Sequence, residues 1–181
     1  LGADTHQMDT GWWSTVMKVP GQDKGWLSMV DKSMPGNFTV NKNGERFSNE
    51  SQNYVSFVND MFEKYAEGNP CAPCYMIFDS TFRKNRPCGP LLQSSMQPDS
   101  AVPKEWWTPS FLSKGETLEE LAEVAGIDIE GLLSTQAKVN EYAKSGKDLD
   151  LQRGDTAYDR YYGDPSVTCL LYTSPSPRDL S

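Results

Sequence analysis

Apolar and polar positions change period several times along the chain. Phe38-Thr39-Val40 alternates, Asn43-Gly44 follows, and Arg46-Phe47 leads away. Asn-Gly between β-favouring residues is a strong hairpin signal, so the pattern predicts a hairpin over 37–48. From Tyr54 the period becomes helical: Tyr54, Val58, Met61, Phe62 and Tyr65 fall on one face. Ser51 or a neighbour in the polar run 48–53 is the expected N-cap, and Gly68 with Pro70 behind it stops the helix. Cys74-Tyr-Met-Ile-Phe78 reads as a buried strand closed by Asp79-Ser80. Residues 85–110, rich in Pro, Ser and Gly, read as a long surface segment pinned by Trp106-Trp107.

Two further helices follow. Thr117-Leu-Glu-Glu120 is a capping box, in which the Thr hydroxyl accepts from the N3 amide and the Glu reaches back. That helix ends at Gly126. Asp128 caps the next, with Ile129, Leu132, Leu133, Gln136, Val139 and Tyr142 inward, ending near Gly146. Residues 1–20 read as a helix end, the apolar Gly11-Trp-Trp-Ser-Thr-Val-Met17 and a break at Pro20-Gly21. Trp26-Leu27 and Met29-Val30 form a short apolar stretch before a turn at Met34-Pro35-Gly36. Residues 155–165 are aromatic and acidic without a clear period, and no internal repeat is visible. The mixture predicts an α+β fold.

Composition narrows the function classes. Of the residues, 37% are hydrophobic and 23% charged, as in globular chains. The net charge is −8, with no run of Lys or Arg, which argues against nucleic acid and against a polybasic membrane anchor. No apolar run approaches the roughly 18 residues of a membrane span. The start has neither Met nor a signal-peptide pattern, so the true N-terminus is expected to be missing. Cys71-Ala-Pro-Cys74 runs into a strand rather than opening a helix, and the only histidine, His6, is far from it in sequence. Ordinary thiols are therefore expected, with no metal site and a reducing, cytoplasmic location.

The end of the chain departs from the rest. Cys169 to Asp179 matches, residue for residue, one reading frame of a common transposase-type sequencing adaptor. Residues 169–181 are therefore read as a non-native, adaptor-derived tail.

Several stretches together carry a resemblance: Leu1-Gly-Ala-Asp4 with Met8-Asp-Thr-Gly-Trp-Trp13, residues 33–51 (SMPGNFTVNKNGERFSNES), 53–62 (NYVSFVNDMF), 73–83 (PCYMIFDSTFR) and 158–165 (YDRYYGDP). The chain resembles the FAD-dependent fumarate reductase/succinate dehydrogenase-like flavoproteins, and within them the 3-ketosteroid Δ1-dehydrogenases. The resemblance implies a two-domain flavoprotein with a Rossmann-like FAD domain and an inserted substrate (capping) domain. Residues 1–20 would be the edge of the FAD domain and 21–168 most of the substrate domain. No GxGxxG occurs, so FAD would be held elsewhere in a larger parent protein, and this chain alone is expected to bind none and to be inactive.

The resemblance also implies a reaction. A tyrosine after the Asn49-Glu50 motif would take the α-proton beside a ring ketone while hydride leaves the adjacent carbon for the flavin N5. Tyr54 is the matching position. A phenol ordinarily titrates near 10, so this base needs donors or positive charge nearby. Ser51, Gln52, Asn53 and the helix start could supply them. Ser51, Asn53 and Phe57 are the candidate substrate-binding residues for a small, apolar, steroid-like ketone. By pattern alone, Tyr54 on an apolar helix face reads as a core residue with its hydroxyl satisfied. Arg46 and Glu50 read as a structural ion pair. Tyr158, Tyr161 and Tyr162 are expected to pack against the body at the domain's exit. The alternatives are a fumarate reductase-like enone or acid reductase and, for the chain alone, a non-catalytic α+β module.

Overall fold

The computed structural model describes residues 2–8 and 10–163. Its elements are β1 (Thr15–Met17), β2 (Trp26–Ser28), β3 (Asn37–Val40), α1 (Tyr54–Ala66), β4 (Tyr75–Phe78), α2 (Ser80–Asn85), α3 (Leu118–Ala125) and α4 (Ile129–Ser145), with three short 3-10 turns. Helices and two small antiparallel sheets give an α+β fold. One sheet pairs β1 with β2, the other β3 with β4, in the register Asn37↔Phe78 to Val40↔Tyr75.

This pairing corrects the hairpin reading of 37–48. The Asn43-Gly44 turn is present: Gly44 adopts φ 73°, and the Asn41 amide donates to Glu45 O at 2.9 Å. The returning strand is not. All four residues of β3 are buried, and their ladder partner is the more apolar β4. Phe38, Val40 and Ile77 then close the main core against Leu118, Ala122, Leu132 and Val139 of α3 and α4. The turn docks on the start of α4, where Thr135 Oγ1 donates to Gly44 O at 2.6 Å and the Asp128 amide to Lys42 O at 3.0 Å.

The helix signals are realised by their caps. Asn53 caps α1, its Oδ1 accepting from the Ser56 amide at 2.9 Å. Gly68 follows the helix with φ 88°, and the amides of Gly68 and Asn69 close onto Tyr65 O and Lys64 O. Thr117 caps α3 and Asp128 caps α4. The Glu120 carboxylate reaches the amide of Glu116, one residue before the expected Thr117.

Several expectations need correction. The apolar stripe of α1 is narrower than predicted: Phe57 and Val58 are buried, but Phe62 and Tyr65 are exposed. Ile129, placed inward by spacing, is exposed at the first turn of α4. The described residues before β1 form no helix, and Trp12 is 90% exposed. Tyr158 and Tyr161 stand exposed rather than packed on the body, with Tyr161 and Tyr162 edge to face on each other, their centroids 4.9 Å apart. The segment 85–110 is better tied down than its composition implies. Trp106 is buried with Val19, Leu91 and Val102, and the Arg83 guanidinium donates to Gln97 O at 2.5 Å and to Leu92 O. The adaptor-like tail lies outside the described residues.

Candidate active site

The polar run that opens α1 is held by a buried ionic network. Arg46 donates to both Glu50 oxygens, at 2.8 and 2.6 Å, and to Asp148 Oδ2 at 2.9 Å. Glu50 is fully buried and also accepts from the Thr39 amide at 3.0 Å. Arg153 enters from beyond α4. Its Nε donates to Ser51 Oγ at 2.9 Å, and its other nitrogens reach Asn37 O at 2.7 Å and Met34 O at 2.9 Å. Lys32 completes the network. Its Nζ donates to Glu50 O and Gln52 O at 2.9 and 2.8 Å and lies 4.8 Å from the centre of the Phe57 ring.

Burial alone would raise the Glu50 carboxyl, but the charges of Arg46 and then Arg153 outweigh it and hold the group at about 2. Glu50 is therefore a permanent anion at neutral pH. Burial lowers Lys32 to about 8, with Glu50 opposing and Arg153 assisting that shift.

This network fixes the turn 48–53 and with it the first residue of α1, Tyr54. The Tyr54 side chain is half-buried, and its hydroxyl makes no hydrogen bond among the described residues. It stands at the helix N-terminus, where the backbone dipole favours negative charge. Phe57, one turn on, is buried against Phe47 and Cys71 and reaches the wall of a cavity of about 430 Å³. That cavity follows β4 and its lead-in (73–78), β1 with the Lys18 after it, and the segment 109–113. Its volume lies within the range of small-molecule pockets.

The four sequence-predicted site residues divide. Tyr54 and Phe57 share one end of α1, and Phe57 lines the cavity whereas Tyr54 does not. Ser51 is 1% exposed, with its hydroxyl engaged by Arg153, and Asn53 is the helix cap. Both serve the framework that presents Tyr54. Sequence reasoning found the Arg46–Glu50 pair but missed Lys32, Asp148 and Arg153. Arg153 lies 102 residues from Ser51 along the chain, and no local pattern announces such a contact.

The described thiols are free, and burial pushes Cys74 up to about 11 and Cys88 to about 12, so both are protonated at neutral pH. Cys169 lies outside the described residues. Among the described residues no His/Cys/Asp/Glu group could hold a metal ion, and no helix is long and apolar enough to cross a membrane.

A dinucleotide cradle needs a strand, a glycine-rich turn and a helix with open first amides. Here α1, α2, α3 and α4 each begin on a side-chain cap, Asn53, Asp79, Thr117 and Asp128, which occupies an amide of the first turn. The described residues therefore do not fit the pyrophosphate of FAD.

The chain is 35% identical over 170 residues to the 3-oxosteroid 1-dehydrogenase of Mycobacterium tuberculosis, covering 92% of this chain and 29% of that relative. It is 33% identical over 171 residues to the 4-oxocyclohexanecarboxylate 2-dehydrogenase of Sinomonas cyclohexanicum, covering 91% of this chain and 28% of the relative. The crystal structure of the 3-ketosteroid Δ1-dehydrogenase of Sterolibacterium denitrificans, in complex with 1,4-androstadiene-3,17-dione, superposes with a TM-score of 0.82 at 36% identity. That match covers 91% of this chain and 29% of the solved one. The chain thus spans less than a third of the length of these relatives. A family match runs from residue 2 to 177, and by it the chain belongs to the FAD binding domain family (FAD_binding_2), whose cofactor is FAD.

Proposed function

We propose that this chain is the substrate-side portion of an FAD-dependent oxidoreductase that introduces a double bond beside a ring ketone. In this reading residues 1–20 form the edge of the FAD domain, 21–168 the inserted substrate domain and 169–181 the non-native tail. The observation that carries it is the placement of Tyr54: a half-buried phenol with an unengaged hydroxyl, on a helix start fixed by a buried ionic network. The relatives supply the substrate class. A 3-oxosteroid and a 4-oxocyclohexanecarboxylate share a ketone on a six-membered ring.

The chemistry assigned to these residues is binding and proton removal. A ring carbonyl acidifies the proton on its α-carbon, and Tyr54 Oη, as phenolate, takes it. Phe57 offers an apolar face to the ring system. When bound, the family's FAD supplies the two-electron oxidising capacity, and residues outside those described would hold it. A reductase using an arginine as proton donor is less well supported, because Arg46 and Arg153 are both buried within the network. The free thiols suit a reducing, cytoplasmic setting.

The test is steady-state dehydrogenation of a 3-ketosteroid, with an artificial electron acceptor, by the flavin-loaded protein that carries this chain. Tyr54→Phe should lower kcat by about 10²–10⁴, the usual contribution of a positioned acid or base. Unchanged turnover would remove Tyr54 from the reaction.

A further inference from the structure

Residues 154–163, aromatic and acidic in sequence, form a run of turns closed on themselves. The Asp159 amide donates to Thr156 Oγ1 at 3.1 Å, Tyr161 N to Tyr158 O at 3.0 Å and Gly163 N to Arg160 O at 3.1 Å. The Arg160 guanidinium folds back onto Thr156 O and Asp155 O. Tyr158, Tyr161 and Tyr162 all stand exposed, whereas Asp159 is only 3% exposed. Its Oδ2 accepts from the Gly154 amide and from Asn49 Nδ2, both at 3.1 Å. Among the described residues, the bond to Asn49 is the only hydrogen bond from this run to a distant part of the chain.

Asn49 passes the constraint on. Its Oδ1 accepts from the Ser51 amide at 2.9 Å, and its own carbonyl accepts from the Gln52 amide at 3.2 Å. A carboxamide is planar, so holding Nδ2 also fixes where Oδ1 points. One side chain thus joins Asp159 to the turn that opens α1, three residues ahead of Tyr54. A carboxylate is costly to bury. Asp159 forms no salt bridge among the described residues, although its charge helps to keep Lys32 protonated. What the carboxylate supplies is grip, since a bond to an ionised acceptor is roughly twice as strong as one to a neutral oxygen.

We propose that Asp159 is a positioning residue for proton removal by Tyr54: through Asn49 and the Ser51 amide it sets the first turn of α1 so that the phenol meets the α-carbon of the substrate. The inference rests on the ring-ketone reading above and ties the run 154–163 to the reacting group.

The test is dehydrogenation of a 3-ketosteroid by the flavin-loaded protein that carries this chain, with turnover counted per bound flavin. Asp159→Ala should lower kcat about ten- to hundredfold, as a displacement of about 1 Å does, and leave KM within about twofold. Asp159→Asn keeps an oxygen for both donors but not the charge felt by Lys32, and should stay within about threefold of wild type. In the Tyr54→Phe background Asp159→Ala should change kcat by less than about twofold, because the group it positions is gone. An unchanged kcat, an effect on KM alone, an Asn variant as slow as the Ala variant, or an undiminished effect in the Tyr54→Phe background would each overturn the proposal. If Asp159→Ala does not load flavin, Asn49→Ala breaks the same link and is read by the same outcomes. Failure of both to fold would mark the link as structural and overturn the proposal too. Unchanged turnover in Tyr54→Phe ends the ring-ketone reading itself, whereas a slow Tyr54→Phe beside a fast Asp159→Ala removes only Asp159.

Discussion

Arg46 and Glu50 face each other in a two-bond fork, Nε to Oε1 at 2.8 Å and a terminal guanidinium nitrogen to Oε2 at 2.6 Å, with both side chains almost fully removed from solvent. Removing one member of such a pair leaves the other charge buried without its partner. Glu50→Gln should therefore destabilise the fold by about 3–5 kcal/mol. Glu67→Ala, which removes the exposed, solvent-screened Lys64–Glu67 pair, should leave stability nearly unchanged. Urea denaturation of the two variants checks the contrast. Similar losses would mean that the buried network contributes little beyond a surface pair.

The same carboxylate sets an acid limit. Glu50 titrates at about 2 in the fold, against an unfolded value near 4.3. Its contribution is fully present above the unfolded value and is lost as pH falls through the folded one. Stability should drop between about pH 4.3 and 2, and that drop should shrink in Glu50→Gln. Lys32 acts at the other end. Burial lowers it to about 8 from an ordinary 10.5, so between these values the unfolded chain binds more protons than the folded one. Stability from this group should therefore rise with pH across that window. Subtracting the pH profile of Lys32→Met from that of the wild type isolates the rise, and a flat difference would contradict it.

Ser51 and Tyr54 are three residues apart but answer to different demands. Ser51→Ala removes the hydroxyl that accepts from Arg153 Nε in a buried site and should cost about 1–3 kcal/mol. Tyr54→Phe removes a hydroxyl that bonds to nothing in the described structure, and stability should stay within about 0.5 kcal/mol. Thermal and urea unfolding of the two variants decide the point. A large loss in Tyr54→Phe would mark the hydroxyl as structural and weaken its reading as a base.

Much of the helical part was legible, because caps are local. Asn53, Thr117 and Asp128 accept amides three residues on, and Gly68, Gly126 and Gly146 take the left-handed conformation that ends a helix. The sheet was less legible because pairing is not local. Asn43-Gly44 predicts a partner for β3 within a few residues, whereas the hydrophobic demand of Phe38 and Val40 is met by β4, more than thirty residues away in sequence as the pairing Val40↔Tyr75 shows. At the site, Arg46–Glu50 was readable at its i,i+4 spacing. Asp148 and Arg153 were not, since the fold alone brings them there. The side chains that earned notice near Tyr54, Ser51 and Asn53, turned out to hold the backbone that presents it.

The Asn43-Gly44 turn has a consequence at α4. A Cβ added at Gly131 would stand 1.8 Å from Asn43 O, and one at Gly44 would stand 2.2 Å from the Leu132 amide nitrogen. Both clashes are with backbone, which cannot swing aside as a flexible side chain does. The turn can approach α4 this closely only because both faces lack a side chain, and the approach permits the 2.6 Å bond from Thr135 to Gly44 O. Gly131→Ala should therefore push the turn from the helix and destabilise by about 1–3 kcal/mol, although Ala is the better helix former. Amide exchange at Asp128, which donates to Lys42 O across the same contact, should accelerate with it. A neutral or stabilising Gly131→Ala, with unchanged exchange at Asp128, would show that the contact is not tight enough to hold the turn against α4.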